Sequence, residues 1–162
     1  MTSLRRSSLA VASGVVALDQ ITKHWAVSSL NDGRVIDVLG SLRFNLSFNR
    51  GMAFSQGTGI GPIIGVLGML VVVYLLIGMR RSSVSGAVFV GLVAGGAAGN
   101  IVDRLFRGEA WLHGAVVDFI DLQWFPVFNV ADSSITVGAC ALIAAMLMEA
   151  RSGKGVDNTH ES

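Results

Sequence analysis

Four apolar runs divide the chain, at about residues 8–30, 60–79, 84–104 and 130–150. Each is close to the ~20 residues that cross a hydrocarbon core at about 1.5 Å per residue. The second run is free of charge, whereas the first holds Asp19 and Lys23 and the third ends on Asp103 and Arg104. Between the first two runs, Leu42-Arg43-Phe44-Asn45-Leu46-Ser47-Phe48-Asn49 alternates strictly between apolar and polar. Period two is the pattern of a strand with one apolar and one polar face. The preceding RVIDVL, residues 34–39, is strand-like too, and Gly40-Ser41 between them is a turn signal. The pattern predicts a hairpin lying on the membrane surface. The connection from the third run to the fourth contains WLHGAVVDFIDLQWFPVF, which is too apolar for a free linker and predicts a loop in the membrane interface. The polar end beyond Gly153 predicts disorder. The expected architecture is a membrane all-α fold: a single domain over 1–162, built as a four-transmembrane-helix bundle with a small extracytoplasmic β-hairpin and an interfacial loop.

Composition agrees with that outline. Of 162 residues, 52% are hydrophobic and 14% charged, against about 25% charged in soluble domains. A net charge of +1 gives no electrostatic basis for nucleic-acid binding. Arg5-Arg6, Arg80-Arg81 and Arg151 with Lys154 flank the runs. With four spans, these three flanks share one side, so the positive-inside bias predicts cytoplasmic N- and C-termini, although Arg34, Arg43, Arg50 and Arg107 lie in the outer connections. Trp25, Trp111 and Trp124 then fall near the outer boundary, where amphipathic rings prefer to sit. Arg5-Arg6 followed by LAVASGVVAL also has the look of a signal peptide, but Asp19, Lys23 and Trp25 follow at once without an A-x-A site, which predicts a retained first helix. The single Cys140 reads as a small packing residue. His24, His113 and His160 are scattered, with no HExxH and no Cys pair, which predicts no metal site.

Candidate chemistry lies in the polar residues that interrupt the apolar runs, because charge in or near a membrane is costly and usually functional. Asp19 and Lys23 are four apart and share a helix face, which predicts a mutually neutralising support pair. A Ser–Lys nucleophile built on Lys23 ranks behind it, since no serine is placed to partner it. Gly96, Asn100 and Asp103 follow i, i+4, i+7 on one face of the third helix, and Asp103 with Arg104 or Arg107 reads as an ion pair at its end. Asp132 follows Asn129 by three residues, so either can cap the fourth helix. Asp118, within VVDFI, has no such capping role, and Asp121 reads as an ordinary loop residue. Asp103, Asp118 and Asp132 all map to the outer boundary. Such a one-sided cluster favours a site open outward and to lipid over a proton-coupled transporter, which would hold a carboxylate near the midplane. Two carboxylates brought together are the equipment of an acid–base peptidase; a non-catalytic membrane assembly factor is the remaining rival.

Five blocks, DQITKHW, FNRGMAFS, GGAAGNIVDRL, VVDF and FNVADSSITVG, resemble in order those of the lipoprotein signal peptidase family (signal peptidase II), the bacterial aspartic peptidases of prolipoproteins. The resemblance runs over residues 19–138. It implies that Asp118 and Asp132 are the catalytic pair, that Asn49, Gly96, Asn100, Asp103, Arg104 and Asn129 line the substrate pocket, and that Asp19 and Lys23 support the bundle. The substrate it implies is a membrane-held prolipoprotein, cut just before its lipid-modified cysteine. It further implies no metal or organic cofactor, a monomer in the phospholipid bilayer of the bacterial cytoplasmic (inner) membrane, an active site near the outer face, and occupation of that site by family-type cyclic peptide inhibitors. The chain departs from the family pattern at Arg50 and Met52, where small residues are usual, and in a short connection from Asp118 to Asp132.

Overall fold

The computed structural model describes residues 3–51, 61–78 and 83–157. The Arg80-Arg81 turn, Met52 and the last residues of the tail lie outside them. Helix α1 spans Ser3–Leu30, strands β1 and β2 span Val35–Leu39 and Leu42–Asn49, and α2 spans Gly61–Val73. A π-helical turn, Tyr74–Gly78, continues α2; α3 spans Val84–Phe106, β3 spans Val116–Asp121 and α4 spans Val130–Asp157. The four helices begin and end close to the apolar runs. The exception is the end of α4, which is helical through Asp157, where disorder was expected from Gly153 on.

Two of these helices, Val84–Phe106 and Val130–Arg151, are long and apolar enough to cross a membrane, and Pro62–Ile77 is a shorter apolar helix. Helix α1 has the length, at 28 residues, but carries charge on its inner face. Its buried residues are Ser8, Ala12, Val15, Asp19, Lys23, Ala26 and Leu30. They recur every three or four positions and form one stripe. That stripe lies on α3, whose glycines let the backbones close together. A Cβ at Gly91 would stand 2.7 Å from the Ser8 carbonyl oxygen, and one at Gly95 would stand 2.8 Å from Ala12 Cα. On the far side of α3, Gly96 meets the Ala131 carbonyl and Ile135 of α4. Outward residues of α4 (Val137, Ile143, Met146 and Leu147) are 57–59% exposed. Cys140 is exposed as well, rather than packed as the sequence suggested.

The hairpin forms as predicted, with Gly40 at φ +58 in its turn. Gly33, at φ +81, ends α1 ahead of it, its N–H bonded to the Leu30 carbonyl. The connection after α3 departs from expectation. Its VVDFID segment is the third strand of an antiparallel sheet ordered β1-β2-β3, not a loop in the interface. The sequence signal was ambiguous because β3 is buried on both faces, and a continuous apolar run has no period to read. On one face Phe119 packs with Ala26 and Leu30 of α1 and with Phe44 and Leu46 of β2. Trp25 closes edge-on against Phe44 at 5.2 Å.

Candidate active site

The alternation in β2 decides what surrounds the first aspartate. Pairing runs from Arg43 opposite Asp121 and Phe44 opposite Ile120 to Ser47 opposite Asp118. Two β2 residues (45 and 46) therefore oppose one β3 residue, a bulge. The polar face of β2 consequently serves both acids of β3. Arg43 Nε and Asn45 Nδ2 donate to Asp121 at 2.8 and 3.1 Å, and Asn49 Nδ2 donates to Asp118 at 3.3 Å. Asp121 is thus a buried, paired acid and not an ordinary loop residue.

The second aspartate comes from the other end of a tight return. Phe128 N–H donates to the Ile120 carbonyl at 3.0 Å, and the Phe128 carbonyl accepts from Phe119 and Ile120 N–H. This bridge folds segment 122–127 outward and lands Asn129 beside Asp118. Asn129 and Asp132 then cap α4 reciprocally: Asn129 Oδ1 accepts from Asp132 N–H at 3.0 Å, and Asp132 Oδ2 accepts from Asn129 N–H at 3.2 Å. Each residue caps the other, the arrangement of a capping box.

Two amides tie the acids together. Asn129 Nδ2 donates to Asp118 Oδ1 at 2.6 Å and to Asn100 Oδ1 at 3.2 Å. Asn100 Nδ2 donates to Asp132 Oδ1 at 2.9 Å. Each carboxylate oxygen has one amide donor, and among the described residues neither acid has a salt bridge. Burial, and then the nearby Asp132 carboxylate, push the Asp118 carboxyl up to about 7, against the pull of hydrogen bonds from Asn129 and Asn49.

Both acids open on a cavity of about 740 Å³. Asn49, Asn100 and Arg104 line it with them, and Trp124, Phe125 and Phe128 overhang it. Ile64 of α2 and Thr136 and Val137 of α4 form its apolar side. Arg104 Nη2 donates to the Gly51 carbonyl at 2.9 Å, while its buried Nη1 has no partner. Among the residues expected to line the pocket, three do not. Gly96 is spent on the contact with α4. Asn129 is fully buried beneath the acids. Asp103 is buried among Lys23, Arg107 and the Val117 N–H, and its ion pairs are to Lys23 and Arg107, not to Arg104.

Relatives decide what this pocket belongs to. A family profile described as signal peptidase (SPase) II matches residues 11–148. A lipoprotein signal peptidase of Mycobacterium leprae is 41% identical over 85% of this chain and 70% of its own length, and one of Rhodococcus jostii is 42% identical over 91% and 76%. The chain belongs to the signal peptidase II family. Two solved structures described as bacterial membrane enzymes share the fold, with TM-scores of 0.75 and 0.73 at 29% and 30% identity, covering 96% and 86% of this chain and 92% of each of theirs. A signal peptidase II is a protease that removes signal peptides from prolipoproteins, and the shared fold is that of a membrane enzyme.

Sequence reasoning missed several residues of this cavity and of its supports. Gln20, next to Asp19, bridges Asp19, the Gly99 carbonyl and Asp103 through its Nε2. Ser133, Thr136 and Val137 line the cavity, and Thr136 is found by adding one helical turn to Asp132. The overhanging aromatics carry no comparable sequence signal, because the return through Phe128 brings them over the acids.

Proposed function

We propose that Asp118 and Asp132 are the catalytic pair of an aspartic endopeptidase that cuts a diacylglyceryl-modified prolipoprotein just before its lipid-modified cysteine. The observation that carries the reading is the pair itself: a buried Asp118 and a half-buried Asp132 on one cavity, joined through amides and, among the described residues, without a salt bridge. Such a pair holds one proton near neutrality. Asp118, pushed up to about 7, holds it. Asp132 is the carboxylate, and takes a proton from a water whose oxygen attacks the scissile carbonyl carbon. Asp118 gives its proton to the carbonyl oxygen, forming a gem-diol. Collapse breaks the C–N bond: Asp132 passes its proton to the leaving amine, and Asp118 recovers one from the diol. Arg104 and the amide of Asn49 line the cavity beside the acids and are suited to hold peptide carbonyls.

The same reading extends to the membrane. All four helices span it as one domain, with both termini in the cytoplasm and the sheet and acids at the outer face of a bacterial inner membrane. The exposed apolar surfaces of α2 and α4 support this, since a soluble monomer rarely exposes so large a patch. The cavity wall made by Ile64, Thr136 and Val137 suits a signal helix arriving from lipid. The active unit is a monomer, and family-type cyclic peptide inhibitors occupy the cavity. Lys23 is not the nucleophile's base in this scheme. Its ammonium is fully engaged by Asp19, Asp103 and Asn100 at 2.7–2.9 Å.

Purified protein in detergent, given a diacylglyceryl-modified precursor, should release a product whose new N-terminus is the modified cysteine. Asp118→Asn and Asp132→Asn should each abolish this while remaining folded. Near-parental cleavage by either variant rejects the dyad. Substrate flux into liposomes without cleavage would favour the transporter reading.

A further inference from the structure

Two buried carboxylates that do not touch the cavity, Asp19 and Asp103, have matching partners. Asp19 Oδ1 accepts the backbone N–H of Ala131 at 3.0 Å, and Ala131 is the residue before Asp132. Asp103 Oδ2 accepts the backbone N–H of Val117 at 3.2 Å, and Val117 is the residue before Asp118. Between them stands Lys23, fully buried, at 2.8 Å from Asp19 and 2.7 Å from Asp103. Its third bond, 2.9 Å to Asn100 Oδ1, fixes which way that amide faces and so aims Asn100 Nδ2 at Asp132. Arg107 closes the cluster on Asp103 at 2.7 Å, giving two acids and two cations.

We infer that Asp19, Lys23 and Asp103 are positioning residues that set the separation of the two catalytic carboxylates, with Lys23 as the hub. The inference rests on the dyad reading above. α1 makes no direct hydrogen bond to either catalytic side chain among the described residues, yet through this hub it grips the backbone before both of them. Each grip acts one residue from the acid it places. It therefore constrains Cα position and leaves the carboxylate oxygens free for amides and water. Ion pairs meant only to hold α1 on α3 would not need to reach β3 and the first turn of α4. Gly99 fits the same purpose, since a Cβ there would stand 2.6 Å from Asp19 Oδ2 and push the clamp aside.

The test separates placement from folding and from binding. Asp19→Ala and Asp103→Ala remove each clamp; Asp19→Asn and Asp103→Asn keep an oxygen for the backbone N–H. Each variant is purified as a monodisperse species and assayed on the diacylglyceryl precursor, with Asp118→Asn and Asp132→Asn alongside. The alanine variants should lose kcat about 100-fold, the scale of a 1 Å misplacement, with KM changed less than about threefold, and the asparagine variants should recover about tenfold of that loss. Parental kcat in folded alanine variants overturns the inference, as does a loss confined to KM. If the alanine variants do not fold, the asparagine variants decide: parental kcat in both overturns it, and a kcat loss at unchanged KM sustains it. Active Asp118→Asn or Asp132→Asn would instead remove the dyad on which it rests.

Discussion

The bundle contains two pairs of acids, Asp19 with Asp103 and Asp118 with Asp132, and they are treated in opposite ways. Asp19 and Asp103 share an ammonium, with Arg107 added, and neither faces the cavity. Asp118 and Asp132 share only amides and open on a cavity of about 740 Å³. Burial costs each carboxylate several kcal/mol unless it is paired. The first pair meets that cost with cations and becomes inert. The second meets it with amides, and burial pushes Asp118 up to about 7, where a held proton is one that can be transferred. In the proposed reading, function follows the acids that share amides on the cavity, not burial or charge as such.

The contrast is broken most severely at the dyad. Asp118→Asn and Asp132→Asn should lower kcat by about 10³-fold or more, since general acid and base roles are each worth about 10²–10⁴. Progress curves on the lipid-modified precursor measure it. Lys23→Met comes next, acting on stability first. It strands the buried Asp19 carboxylate and leaves Asp103 with Arg107 alone, and should cost about 3–5 kcal/mol, read from thermal unfolding in detergent.

pH sharpens the comparison further. Above about 7 Asp118 loses its proton, so kcat/KM should fall about tenfold per unit. The sign for stability follows from the same group. Its folded value lies above the unfolded 3.8, so the stabilisation it lends is complete below about 4 and is lost as pH climbs through about 7. Asp118→Asn, which cannot ionise, should gain in melting temperature relative to the parent across that window; a constant difference at every pH contradicts the assignment. The smallest effect belongs to the cap. Asn129→Ala should cost about 1 kcal/mol of stability from the α4 terminus, but a larger fraction of activity, because the same amide holds Asp118.

Much of this was legible in order along the chain. The apolar runs located the helices to within a few residues at most ends, and the alternation of residues 42–49 gave β2 its two faces, because both signals are local and periodic. The spacing of Asp19 and Lys23 marked a buried pair, since the period of a helix is fixed. The family motifs named Asp118 and Asp132. What remained hidden was long-range. VVDFID has no period because both its faces are covered, so its role as β3 depends on β2 and α1 being there. Asp121 looked like loop polarity until Arg43, seventy-eight residues away, was folded against it.

The sequence by itself therefore determined that this is a membrane peptidase, where its helices run and which two acids are the candidates for the chemistry, because periodicity and motif are written in neighbouring residues. Only the tertiary structure decided which acids pair with a cation and which share amides on the cavity. That depends on α1 laying Lys23 between Asp19 and Asp103, and on Phe128 returning to β3 to set Asn129 between Asp118 and Asp132. A local pattern fixes which face a side chain occupies; only the packed chain fixes what it meets there.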